Sequence, residues 1–259
     1  MLFGRYLHQN SFIHRLDPRL KILEILSISV ILFFIPSFLG VIVIGLWLAV
    51  WAGISRISFL FFFRLLSKLW FLFVVIAFIQ LFQGSGKVWI ELPLSLRITQ
   101  GGVFNAVLLS LRLILLVFAS LLLSATTSPL RFVDGIEGIL RFFRVSKEQS
   151  HEIGMVMGIS IRFFPSIQLE WNTLIKAQKS RGIPLDFGPW IRRIPNLFSV
   201  LLPMLGNTLR NAETLEKAMI SRSYSGSVGR SKMEPLNCTS SDYVMLIFHF
   251  GVLCAALYF

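Results

Sequence analysis

The chain has 259 residues, 55% of them hydrophobic and 15% charged, with a mean hydropathy of +0.73. Soluble domains carry about 25% charged residues, so the composition argues against an ordinary water-soluble domain. The net charge of +12 suits cytoplasmic loops of a membrane protein, and the long apolar runs favour that reading over nucleic-acid binding.

Arg15, Arg19 and Lys21 precede a first apolar run over residues 22–35, with Arg5 further upstream. In Asp17-Pro18-Arg19, Pro presets φ for a first helical turn and Asp caps the free amides, which starts a helix at the membrane surface. Pro36-Ser37 parts this run from a second, Phe38–Ile54. Each is short for a span of about 20 residues, and the spacing predicts a helical hairpin with its tip at the far face, a single long helix being the alternative. A third run, 69–82, follows Arg56, Arg64 and Lys68. The loop 84–102 holds only Lys87, Arg97 and Glu91. Its Gly84-Ser85-Gly86-Lys87 resembles a phosphate loop, but Val88 stands at the Ser/Thr position and Leu81 at the first Gly.

A fourth run, 103–124, contains Arg112, read as the one strong charge within a span. It is either functional or snorkels toward the outer surface. The fifth run is 243–259. The first run continues into the second without a small-residue cleavage site, which argues against a cleaved signal peptide. The segment 125–241 carries 15 Lys/Arg against 9 Asp/Glu. The positive-inside rule places it and the N-terminus in the cytoplasm, and the C-terminus outside. Cys238 and Cys254 give no disulfide framework or metal set, and His8, His14, His151 and His249 read as packed or interfacial side chains.

Two long amphipathic helices are predicted within 125–241, after a shorter basic and aromatic helix over 129–143. Over 148–181, Ile153, Val156, Met157, Phe164, Ile167, Trp171, Leu174 and Ile175 mark one face, with Arg162, Ser166, Glu170 and Thr173 on another. Pro165 is expected to kink this helix without ending it. Gly154 and Gly158 form a small-xxx-small pair that admits a close neighbour, if the spacing is not chance. Over 194–222, the apolar set runs from Ile194 and Leu197 to Leu215 and Met219. Both helices end alike. Lys176-Ala177-Gln178-Lys179-Ser180-Arg181 precedes Gly182, and Lys217-Ala218-Met219-Ile220-Ser221-Arg222 precedes Ser223. A dipole-matched Arg at each helix end explains the arginines. It does not explain the matching Lys, Ala and Ser, which suggest a paired docking device.

These motifs, in this order, resemble the transmembrane T component of energy-coupling-factor (ECF) transporters, the family that includes the Q-type subunit of cobalt importers. The resemblance spans nearly the whole chain. Asp17, Pro18, Arg19 and Lys21 match the family's D-P-R-x-K motif. Ser124-Ala125-Thr126-Thr127-Ser128-Pro129 resembles the turn after its fourth span. Arg162, Pro165, Glu170 and Ala177 match the stretch before its first Ala-Arg-Gly signature. That signature reads Ser180-Arg181-Gly182 here, and the second, preceded by Ala218, reads Ser221-Arg222-Ser223. Ser replaces the leading Ala in both and the final Gly in the second, while the central Arg is kept.

The resemblance implies an all-α polytopic membrane protein with about five transmembrane helices and long cytoplasmic amphipathic coupling helices. Its expected parts are spans one to four in 1–124, a coupling-helix domain in 125–241 and a last span in 242–259. It implies a bacterial cell membrane, two cytosolic ABC ATPase subunits and a membrane substrate-binding S component. The signature helices would cross, each Arg docking into one ATPase. ATP and magnesium would be bound by the ATPases and no cofactor by this chain, whose cargo would be a vitamin or a transition-metal ion. No H-E-x-x-H or G-x-S-x-G motif points to catalysis. The alternatives are the permease of an ordinary ABC importer and, more distantly, a lipid-modifying membrane enzyme.

Overall fold

A computed structural model describes residues 11–82, 87–91, 97–143, 145–184, 190–224, 226, 236 and 238–258. The stretch Gly84-Ser85-Gly86, together with Arg5 and His8, lies outside them. In chain order the helices are α1 (Phe12–Arg15), α2 (Pro18–Phe34), α3 (Phe38–Ile54), α4 (Phe59–Leu66) and α5 (Trp70–Leu81). A two-stranded ribbon, β1 (Val88–Glu91) and β2 (Arg97–Thr99), precedes α6 (Gln100–Thr126), α7 (Pro129–Phe142), α8 (Lys147–Ser180), α9 (Trp190–Ser221) and α10 (Ser240–Tyr258). The fold is all-α apart from this ribbon, which closes antiparallel with Val88 opposite Thr99 and Glu91 opposite Arg97. The chain forms two compact units, residues 1–135 with 235–259, and residues 136–234.

Local chemistry fixes the helix starts in the first unit. Asp17 accepts from the Arg19 amide at 2.9 Å, Ser37 from Gly40 at 3.2 Å and Thr99 from Gly102 at 3.1 Å. Each satisfies one of the amides that a helix N-terminus leaves without a partner. Ile35 turns extended before Pro36, because Pro disfavours α geometry in the residue before it. The 22–54 stretch is therefore two helices and not one.

The helices alternate in direction. The start of α10 meets the start of α2, where the Asp17 amide donates to Asp242 Oδ1 (3.2 Å). The end of α10 meets the start of α3, where a Cβ on Gly40 would collide with the Ala256 carbonyl. So α10 runs with α2 and against α3, making α2 and α3 the expected hairpin. Along α6, Phe104 packs on Phe38, Leu115 on Gly45 and Phe118 on Phe62. This ascending order sets α6 parallel to α3, and so antiparallel to α2. Leu81, at the end of α5, lies against Gly102, at the start of α6.

Among the described residues, three helices are long and apolar enough to cross a membrane: Phe59–Leu81, Gln100–Thr126 and Ser240–Tyr258. The helices α2 and α3 have 17 residues each, about 26 Å at 1.5 Å per residue, slightly under the hydrocarbon thickness. The third span departs from expectation. It starts at Phe59, and the 3-10 turn Ser67–Leu69 joins α4 to α5. Arg64 and Lys68 therefore lie within the helical stretch, because Phe59–Phe63 continues the apolar run without a breaker.

The core of this unit comes from Ile28, Leu32, Ile44, Leu48, Trp51, Leu122 and Leu253, while Phe33, Phe34, Phe63, Trp70, Phe71 and Phe78 face outward. Polar groups are turned inward. His249, 1% exposed, lies between α2 and α3. Its Nδ1 accepts from the Trp47 indole (3.2 Å), which leaves Nε2 to carry the proton and donate to Ser27 Oγ (2.8 Å). Ser27 donates in turn to the Glu24 carbonyl (2.7 Å). The histidine is a packed side chain, as read from sequence, and it ties three helices together.

Arg112 is not the one strong charge in a span, because Glu24 lies within α2 and is 3% exposed. The Arg112 guanidinium donates to the Ile35 carbonyl, the last turn of α2, where the helix dipole favours a cation. Its role in the fold is to cap α2 from α6.

Candidate coupling site

In the second unit α8 and α9 run antiparallel. Gln178 of α8 donates to the Ser199 carbonyl of α9 (3.0 Å), and one turn pair back Glu170 accepts from Asn207. Asn207 Oδ1 also receives Arg210 (2.8 Å). The helices are thus registered by polar side chains, and Glu170 faces α9. Much of the apolar surface stays uncovered, including Val156, Phe164, Leu169, Leu202, Leu205 and Leu209. Helix α8 continues through Pro165, and α9 through Pro195 and Pro203.

Of the glycine pair on α8, only Gly154 has a close neighbour among the described residues. A Cβ there would lie 2.6 Å from the Glu137 carboxylate of α7. Gly158 has nothing within 4 Å. Glu137 is buried, accepts from Arg141 and lies 3.6 Å from His151 Nδ1.

The two signature ends share one backbone geometry. After Arg181, the Gly182 amide donates to the Lys179 carbonyl (3.0 Å) and the Ile183 amide to Gln178 (3.1 Å). After Arg222, the Ser223 amide donates to Ile220 (2.9 Å) and the Tyr224 amide to Met219 (3.0 Å). Each is a Schellman cap, with its crossing residue in the left-handed region: φ is +82° at Gly182 and +57° at Ser223. The serines preceding the arginines bond back into their own helices, Ser180 to the Lys176 carbonyl and Ser221 to Ala218, both at 3.0 Å. This satisfies each hydroxyl locally.

Arg181 and Arg222 are exposed and make no ion pair among the described residues. Because α8 and α9 are antiparallel, the two arginines lie at opposite ends of the pair. Asn196 of α9 reaches the Pro184 carbonyl just past the first end (3.0 Å), and Tyr224 past the second reaches Met155 of α8 (2.7 Å). Arg162, Pro165, Ala177 and Ala218 are also exposed, while Glu170 and the neighbouring Gln178 bind the partner helix.

The N-terminal motif forms a separate polar cluster in the first unit. Asp17 caps α2, and Lys21 is 2% exposed. Asp242 Oδ2 accepts the Thr239 amide (2.7 Å), while Cys238 donates to Asp17 Oδ2 (3.5 Å). Burial, then the Asp17 charge, pushes the Cys238 thiol up. Arg131 of α7 reaches the His14 carbonyl (3.4 Å). Sequence reasoning missed Glu24 and Asp242. The available signals were an acid three residues after Lys21 inside an apolar run, and Thr239 followed three residues later by Asp242, a capping-box spacing.

Comparison with known proteins covers nearly the whole chain. The profile of the CbiQ family, described as cobalt transport protein, matches residues 9–235. The energy-coupling factor transporter transmembrane protein EcfT of Listeria innocua is 34% identical over 95% of this chain and 93% of its own length. Its namesake from Thermosediminibacter oceani is 37% identical over 94% and 92%, and that of Thermotoga maritima 34% identical over 100% and 93%. With its apolar helices and this coverage, the chain belongs to the CbiQ family of membrane proteins, as a transmembrane component of the energy-coupling-factor transporter type.

Proposed function

We propose that the chain couples two cytosolic ABC ATPase subunits to a membrane S component that binds a vitamin or transition-metal ion. The observation that carries this reading is the pair of identically capped, exposed arginines, Arg181 and Arg222, at opposite ends of one antiparallel helix pair. Two equivalent ends suit two ATPase subunits. Guanidinium is permanently charged and offers a planar fork to a carboxylate or to helix C-terminal carbonyls. A rigid helix end lets movement of one partner reach the other through the Gln178 and Glu170 contacts. ATP and magnesium belong to the ATPases, and this chain supplies no catalytic group.

The proposed topology has five crossings, with the N-terminus in the cytoplasm and the C-terminus outside. The alternating directions of α2, α3, α4–α5, α6 and α10 support it, as does the Lys/Arg excess flanking α2. Isolation from native membranes followed by identification of the bound chains tests the partnership. Two related ATPases and a small membrane protein should co-purify, and reconstituted uptake should require all of them. Recovery of a lone chain that itself turns over a lipid would overturn the reading. So would a chain that transports with a soluble binding protein in place of an S component.

A further inference from the structure

The end of α7 has no part in the coupling reading, yet it exposes two large aromatic side chains. Phe142 is 82% exposed and Phe143 69%. Their rings sit edge to face, with centroids 5.9 Å apart. Adjacent aromatics left in water would be an unfavourable apolar patch. Arg141 stands beside them, its side chain 44% exposed while it pairs with Glu137. From 141 to 147 the sequence reads Arg-Phe-Phe-Arg-Val-Ser-Lys, with three cations and no acid. Earlier in the same helix, Gly135 packs against Pro18 and Ile22 at the charged start of α2.

Aromatic rings settle at the membrane–water interface, and cations beside them are attracted to anionic headgroups. We infer that Phe142 and Phe143 insert into the headgroup region of the bilayer and that the adjoining cations hold them on anionic lipid. The membrane that contains the spans supplies this surface, and the charge of the 141–147 stretch matches an anionic leaflet better than a neutral one.

The test uses the full chain with Cys238→Ser and Cys254→Ser, carrying a nitroxide at Phe142→Cys. A second preparation carries the label at Glu213→Cys on α9 as a water-exposed reference. Both are placed in nanodiscs of phosphatidylcholine alone or mixed with phosphatidylglycerol, and collision with oxygen is compared with collision with a water-soluble nickel complex. In the mixed lipid, the label at 142 should favour oxygen severalfold over its balance at 213, and this preference should shrink in phosphatidylcholine alone. A label at Phe143→Cys should behave alike, which guards against a defect peculiar to one variant. Three results would overturn the inference. The label at 142 could match 213 in both lipids, its preference could be equal in the two lipids, or it could become shielded only when ATPase or S subunits are added. The last would assign the pair to a protein partner.

Discussion

Gly182 and Ser223 occupy the same left-handed position of the same Schellman cap, each one residue after a signature arginine. The position suits glycine, because an L side chain there costs roughly 1–2 kcal/mol. The second cap therefore carries strain that the first does not, and its hydrogen bonds hold it in place.

This asymmetry yields a pair of opposite effects. Gly182→Ala should weaken the first cap by about 1–2 kcal/mol. Ser223→Gly should strengthen the second by about 0.5–1 kcal/mol, the relief being partly offset by the freedom glycine gains in the unfolded chain. Amide hydrogen exchange at Ile183 and Tyr224 reads the two ends separately. Faster exchange at Ile183 in the first variant and slower exchange at Tyr224 in the second is the expected result.

The His249 bridge should be cooperative. His249→Ala leaves the buried Trp47 indole without its acceptor and should destabilise the fold by about 1–3 kcal/mol. Trp47→Phe removes the donor while keeping a ring. After that change His249→Ala should cost less, since the two share one bond. Thermal unfolding in detergent across the double-mutant cycle measures this. Strictly additive shifts would mean that the bridge contributes nothing.

At the start of α2, Asp17→Asn should be mild, because Asn keeps a capping oxygen for the Arg19 amide. Asp242→Ala should be harsher, by about 1–3 kcal/mol. Its carboxylate accepts the amides of both Asp17 and Thr239 and so joins α10 to α2. The check is the yield and thermal stability of the two purified variants. A severe assembly defect in Asp17→Asn with normal stability would show that this charge acts beyond the fold.

The helical architecture was legible because lipid forces an unambiguous pattern. Long apolar runs, Pro36-Ser37 and the periodicity of 148–181 and 194–222 predict helices that the structure places within a few residues, except the third span, which starts at Phe59 and not at 69. The matching ends at Arg181 and Arg222 were visible as repeated letters. Their shared cap was half visible, since Gly182 signals a left-handed residue and Ser223 does not. Pairings across the sequence were not legible. Nothing local relates Ser27 and Trp47 to His249, or Asp17 to Asp242, because those bonds depend on how α10 returns against the hairpin. Likewise the periodicity puts Glu170 on a polar face, yet the helix pair registers itself through polar side chains and leaves much of its apolar surface open. The ribbon at Val88–Glu91 escaped notice because its strands are short and flank a loop already accounted for by charge.

Arg181 and Arg222 carry the proposed coupling. Replacing either by Ala should reduce ATP-driven uptake moderately, since one end still docks, and Lys should restore charge without the planar fork, giving partial function. The most direct measurement combines Arg181→Glu with Arg222→Glu, followed by pull-down of the ATPase subunits and uptake in membrane vesicles. Membrane insertion should be normal, because neither residue lies in a proposed crossing. The ATPases should be lost from the complex and uptake abolished. Full uptake with an intact complex would contradict the account and leave both arginines as helix ends matched to their dipoles.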